Sequence, residues 1–491
     1  SEAGLGGTTS APYSSGVQNT AVGYQALSSF TTGTNVAIGY QTMQNLTTGT
    51  ANTAVGRKAL NSADGAESNN VAIGSSAMQN VNNDSSEKNV AIGADAMSSI
   101  TSGEVDRCIA IGFGAMDGAG SISGQQNIFI GDNAGGGSWT TAASNSNVAI
   151  GATAMSDALN GALGNTALGH DTLKALTSGD YNVAIGHLSG DALTTGGYNT
   201  LLGDGAGGAL TIGDYNTAVG ASALYTEDVG RGTTAVGYGA LYSQNSDSNN
   251  EETENTAVGF EAGYNLLTSR ANTAIGYRAL YGTNNGTSHY NSYGGNTALG
   301  SYAGYAGGNL LQFGGSSYVG YAAGTNDVAG RNTYIGGYAG RYMTSGSENV
   351  AIGYMAAEME YFQNHPTTCD EGRFVAIGAY AMEKGFESGA NGNLSVAIGY
   401  QALSNASGSS SGRQVSIGYG SMNGSTNYGQ YNTAVGYGAG GWSTTALGGV
   451  TVLGGLGTAG NITAGAQVVI GAYYAGYNSG GSGNVIIGYE A

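Results

Sequence analysis

The sequence predicts an all-β protein, a parallel β-solenoid of about 26 short coils. Three observations predict it. A unit reading Asn-[Thr/Val]-Ala-[Val/Ile]-Gly-x-x-Ala-[Leu/Met/Gly] recurs 26 times, with its central glycine running from Gly23 to Gly488. Glycine supplies 91 of 491 residues and proline only 2, against ~7% and ~5% in ordinary chains. No unit carries the 3.6-residue apolar period that a helix needs over ten or more residues.

Composition excludes several classes. Charged residues are 9% of the chain, against ~25% in globular domains. The apolar fraction of 40% is too high for disorder by low hydrophobicity. The scarcity of proline excludes collagen and polyproline linkers. No run of 18 apolar residues occurs, so no helical membrane span is expected. The formal charge of −19 and the lack of a basic stripe argue against a nucleic-acid partner.

Each unit is justified from its own residues. Asn19-Thr20-Ala21-Val22-Gly23 and Asn35-Val36-Ala37-Ile38-Gly39 are early copies; Asn432-Thr433-Ala434-Val435-Gly436 is a late one. Spacing runs from 16 to 25 residues, with 17 commonest. The residue before the glycine is Val, Ile or Leu in all 26 copies, and the one before that is Ala in 18. Thr, Val and Ile favour a short extended strand, whose side chains alternate between faces. The invariant branched position is expected to be buried, with close packing against the Ala face as well. The glycine permits a bend, and a second short strand such as Tyr24-Gln25-Ala26-Leu27 is expected after it.

One unit cannot bury its apolar residues alone, whereas stacked units can. At ~4.8 Å per coil, 26 coils predict a rod on the order of 120 Å. Asn opens 18 of the 26 units. Asn19, Asn35, Asn52, Asn70 and Asn89 are candidates for a ladder, each amide bonding to turn backbone or to the next Asn. Thin coils of small residues give a thin core, so association of several chains is expected.

These units resemble the head repeats of trimeric autotransporter adhesins, roughly Asn-Ser-Val-Ala-Ile-Gly-x-x-Ala-x-Ala-x-Gly. The variant Asn-Thr-Ala-Val-Gly-Tyr-x-Ala-Leu is also similar to repeats in phage tail-fibre-like proteins. The resemblance covers residues 17–491. It implies a left-handed parallel β-roll with three chains to a rod. Two features depart from the adhesin motif: the coils here are longer, and Asn lies one residue nearer the glycine.

The organisation reads as an N-terminal cap or docking arm over residues 1–16, followed by a repeat domain over 17–491. Coil loops lengthen at 242–254, 281–295, 357–374 and 383–395. Long loops on a rigid scaffold are a usual place for recognition, although insertions are also tolerated there. Tyr281, Tyr290, Tyr293, Tyr361, Phe362 and His365 are the candidate recognition residues.

Other motifs carry little chemistry. Gly455-Leu456-Gly457-Thr458-Ala459-Gly460 matches G-x-G-x-x-G, but no helical pattern follows it. His365, Cys369, Asp370 and Glu371 lack paired zinc-ligand spacing. Cys108 and Cys369 lie about 14 coils apart, roughly 65 Å at ~4.8 Å per coil, too far for a disulfide. Cys108 occupies the Asn corner and reads as a buried thiol. Asp180, Asp214 and Asp327 fit turn capping or Ca²⁺. Tyrosine, 33 in all, recurs beside the central glycine and before the Asn. Such positions stack into rows, for packing or for sugar contact.

The resulting expectation is a non-catalytic structural fibre without cofactor or metal. It would be an adhesin-type or tail-fibre rod, extracellular on a cell surface or virion, a homotrimer that meets a glycan or cell-surface receptor. The alternative is a self-polymerising filament whose subunits stack end to end. No pair of carboxylates suited to glycan cleavage stands out.

Overall fold

The computed structural model describes residues 3–4, 18–246, 248–249, 251–282, 294–305, 314–327, 329–343, 346–358, 373–384, 394–404, 413–424, 431–441, 448–455, 467–476 and 480–490. The chain forms two units, Ser1–Tyr238 with Asn245–Glu252, and Gly239–Gln244 with Thr253–Ala491. Both are parallel β-solenoid. Apart from a 3-10 turn at Asp117–Ala119, every element among the described residues is a strand. None is a helix long and apolar enough to cross a membrane.

The first unit holds thirteen ladder strands, from Thr20–Val22 to Thr234–Val236, and the second thirteen, from Thr256–Val258 to Val485–Ile487. Within each unit every strand pairs in parallel with the next at the same repeat position. Ala72 faces Ala91, and Ala91 faces Ala110; in the second unit Ala376 faces Ala397. The ladder therefore sets equivalent repeat positions in columns. A second short parallel pairing, Val105–Asp106 with Gly124–Gln125, ties part of another wall in the first unit.

The orientation of the strands corrects the sequence reading. The Ala at the strand centre points inward, and the central residue is buried in 24 of the 26 strands; the exceptions, Ala21 and Ile486, lie in the first and last. The branched residue before the glycine points outward and is buried in none of them. The coil is too narrow for a large side chain on each wall, so the inward strand position is usually Ala. The bulk comes from the facing turn instead, where Ala77, Met78 and Val81, or Ala96, Met97 and Ile100, are fully buried.

The expected second strand is also corrected. After the glycine, alternate residues take the left-handed conformation, as at Gln25 (φ 54°) and Leu27 (φ 48°), or Gln41 (φ 54°) and Met43 (φ 49°). This segment is a run of turns. The strain, of order 1–3 kcal/mol per residue, is offset where these N–H groups reach a neighbouring coil. Gln41 donates to the Tyr24 carbonyl at 2.8 Å on one side, and Met43 to the Ala59 carbonyl at 3.0 Å on the other.

Asparagine joins successive coils at the strand entrance. The Oδ1 atoms of Asn19, Asn35, Asn52 and Asn70 accept from the backbone N–H groups of Asn35, Asn52, Asn70 and Asn89, at 2.6, 3.0, 2.9 and 3.0 Å. The same amides donate forward to a turn carbonyl, Asn35 to Gly49 at 2.8 Å and Asn52 to Glu67 at 2.7 Å. Each of these buried amides thus bonds, through both its oxygen and its nitrogen, to chain that follows it, and so has the partners a buried polar residue requires. Cys108 keeps half of this pattern: its N–H bonds Asn89 Oδ1 at 2.9 Å, and its thiol donates to the Gly124 carbonyl at 3.2 Å.

Candidate interaction faces

Two features of the outer surface stand out physically. The first is the outward face of the sheet. In-register pairing places Ile73, Ile92, Ile111, Ile130 and Ile150 in one column. Val71, Val90, Ile109, Ile128 and Val148 form a parallel column two residues earlier. Over these five strands every outward residue is Val or Ile. The second unit repeats this at Val350/Ile352, Val375/Ile377, Val396/Ile398 and Val415/Ile417. Side chains in the outer column remain substantially open, such as Leu168 at 45% and Ile185 at 40%. Contiguous apolar surface is unusual on a solitary soluble chain.

The second feature is the tyrosine ladders. Tyr181, Tyr198 and Tyr215 stack with ring centroids 5.3 and 5.2 Å apart, and all three are exposed. Tyr400, Tyr419 and Tyr437 repeat this at 5.1 and 5.0 Å in the second unit. Coil spacing near 4.8 Å places equivalent rings at stacking distance. Tyr281 belongs to such a ladder, 5.4 Å from both Tyr264 and Tyr305. The Arg278 guanidinium covers it at 5.1 Å and bonds Glu261 at 2.6 Å. This ring is part of a packed row and not an isolated loop residue.

The remaining candidate recognition residues, Tyr290, Tyr293, Tyr361, Phe362 and His365, lie outside the described residues, as do Cys369, Asp370 and Glu371. Asp180 and Asp214 accept backbone N–H bonds across coils, from Leu163 at 2.8 Å and Gly197 at 2.7 Å. Asp327 is buried and accepts from Tyr318 Oη at 3.0 Å, Asn332 Nδ2 at 2.9 Å and the Ala329 N–H at 3.0 Å. Burial pushes its carboxyl up to about 7.

Sequence reasoning passed over the outward aliphatic columns, because it assigned them to the interior. It also passed over Asp64, Glu67 and Asp84, which converge at one coil corner. The signal for the latter was present: Glu67 occupies the place that glycine takes in Thr47-Thr48-Gly49. No protein-family model matches the chain, and no curated protein matches it.

Proposed function

We propose that this chain is a non-catalytic structural fibre subunit, of adhesin or tail-fibre type, that acts outside the cell. Three copies associate through their outward aliphatic faces, and the assembly holds an attachment function away from a surface. The observation that carries this reading is the pair of Val/Ile columns across the strands from Val71–Ile73 to Val148–Ile150. A solitary chain would leave that surface in water, at a cost of ~25 cal/mol per Å² of apolar area. Another copy of the chain offers the same columns at the same repeat, so the two faces match in spacing and polarity. The resemblance of the repeat to adhesin heads and tail-fibre proteins supports three copies. The exposed tyrosine ladders supply planar faces for a glycan or cell-surface receptor.

Mass photometry of the purified full chain tests the assembly. The expected species has three times the 48.7 kDa of one chain. Ile92→Asp combined with Ile111→Asp is expected to shift it toward the single chain while leaving the far-ultraviolet circular dichroism unchanged. A single-chain species for the unmodified protein overturns the reading, and open-ended filaments favour the end-to-end alternative.

A further inference from the structure

We propose that Asp64, Glu67 and Asp84 form a binding site for a hard divalent cation, and that Ca²⁺ is the ion that fits. Asp64 and Glu67 belong to the polar turn that follows the strand Thr53–Val55, and Asp84 to the equivalent turn after Val71–Ile73. One carboxylate oxygen from each lies within 4.8 Å of the others. That is the span of two opposite ligands around an ion with Ca–O distances near ~2.4 Å. Mg²⁺, at ~2.1 Å, closes on a tighter octahedron. The donors are all oxygen, which excludes preference for the softer metals.

Glu67 points to a ligand independently of the clustering. It is fully buried. Its Oε2 accepts the Gly65 N–H at 3.0 Å, but its Oε1 is buried with no hydrogen-bond partner. Burial first, with the negative charges of Asp84 and Asp64 adding to it, raises its pKa. Glu227 shows how this fold treats a buried glutamate that needs no ion. Its Oε1 receives the N–H groups of Gly230, Val229 and Ser246, and its Oε2 the Ser246 hydroxyl at 3.0 Å. Glu67 lacks such a set of donors, and a divalent cation supplies the missing partner.

The corner is shaped to bring Asp84 in. A Cβ on Gly65 would overlap Asp84 Oδ1, so only glycine admits the carboxylate. Asp84 Oδ1 is then fixed by the Ala66 N–H at 2.9 Å. The Glu67 backbone is fixed in turn by Asn52, whose Nδ2 donates to the Glu67 carbonyl. Asp64 and Asp84 are exposed, which gives an ion a path to the buried glutamate.

Isothermal titration calorimetry of CaCl₂ into the full chain tests the site. One saturable event per chain is expected, little affected by equimolar MgCl₂. Asp84→Asn is the principal variant, because its side chain is exposed and its loss does not empty the core. It is expected to weaken Ca²⁺ binding at least tenfold and to remove the rise in melting temperature that Ca²⁺ gives the unmodified protein. Glu67→Gln is expected to do the same. Asp157→Asn, exposed in a different coil, controls for adsorption to a chain of this charge and is expected to bind like the unmodified protein. Absence of saturable heat overturns the proposal, as does equal binding by Asp84→Asn.

Discussion

Gly135 lies against the face of Phe129, where a Cβ would fall 2.8 Å from the ring carbons. Phe129 takes the inward strand position that is usually Ala, and Gly135 takes the turn position that is Met78 or Met97 in other coils. The two share one slot in the core. The same exchange pairs Leu201 with Gly207, and Tyr318 with Gly324. Phe129→Ala is therefore expected to cost about 3–5 kcal/mol through the void it leaves. Adding Gly135→Met should recover much of that loss, because this position already holds methionine at φ 54° in Met78 and Met97. Gly135→Met alone should destabilise by overpacking. Chemical denaturation of the three variants measures this, and a double variant no better than Phe129→Ala would remove the shared-slot account.

The central glycines impose a harder limit. Gly93 has φ 140°, and a Cβ on it would overlap the Gly112 carbonyl oxygen. That carbonyl is backbone and cannot swing aside. Gly93→Ala should disrupt the coil stack locally and lower the melting temperature sharply. Gly232 is the comparison: its φ is 74° and nothing lies within 4 Å of an added Cβ. Gly232→Ala should cost only about 1–3 kcal/mol for the left-handed backbone. Equal melting temperatures for the two variants would show that coil-to-coil approach is not the reason for the glycine.

Periodicity made the architecture legible. A strand that stops at glycine every 16 to 25 residues has few ways to bury itself except by stacking. Facing was not legible from the same pattern. Val22, Ile38 and Ile92 alternate with Ala21, Ala37 and Ala91, and either set could lie inside. The usual rule, that bulk goes inward, fails because the facing turn already fills the narrow coil with Leu27, Met43 and Met97. The turn after the glycine was missed because left-handed Gln25 and Leu27 are not turn-forming residue types. Only stacking onto neighbours stabilises them there. Glu67 was missed because its meaning depends on Asp84, a residue of the next coil.

Cys108 should be chemically silent. It is fully buried, and burial pushes its thiol up to about 11. Thiolate is the reactive form, so at pH 8 almost none is present. In a Cys369→Ser background, a disulfide-exchange reagent at pH 8 should leave Cys108 unmodified in the folded protein and label it fully in denaturant. Rapid labelling without denaturant would mean that this corner opens readily.

Asp327 should give the second unit an inverted pH response. Its carboxyl is raised from 3.8 to about 7 by burial, which its bonds to Asn332, Tyr318 and the Ala329 N–H only partly oppose. The unfolded chain releases this proton near pH 4, whereas the folded chain holds it to about pH 7. Its contribution is therefore fully present below about pH 4, declines as pH rises toward 7, and is lost above that. A shift of this size corresponds to about 4 kcal/mol across the window. Other carboxylates titrate in the same range, so the informative quantity is the difference between the unmodified protein and Asp327→Asn. Asparagine carries no charge, so its stability relative to the parent should rise between pH 4 and pH 8 and then level off. A difference curve that is flat over that range would mean that Asp327 is ionised in the folded chain as readily as in the unfolded one.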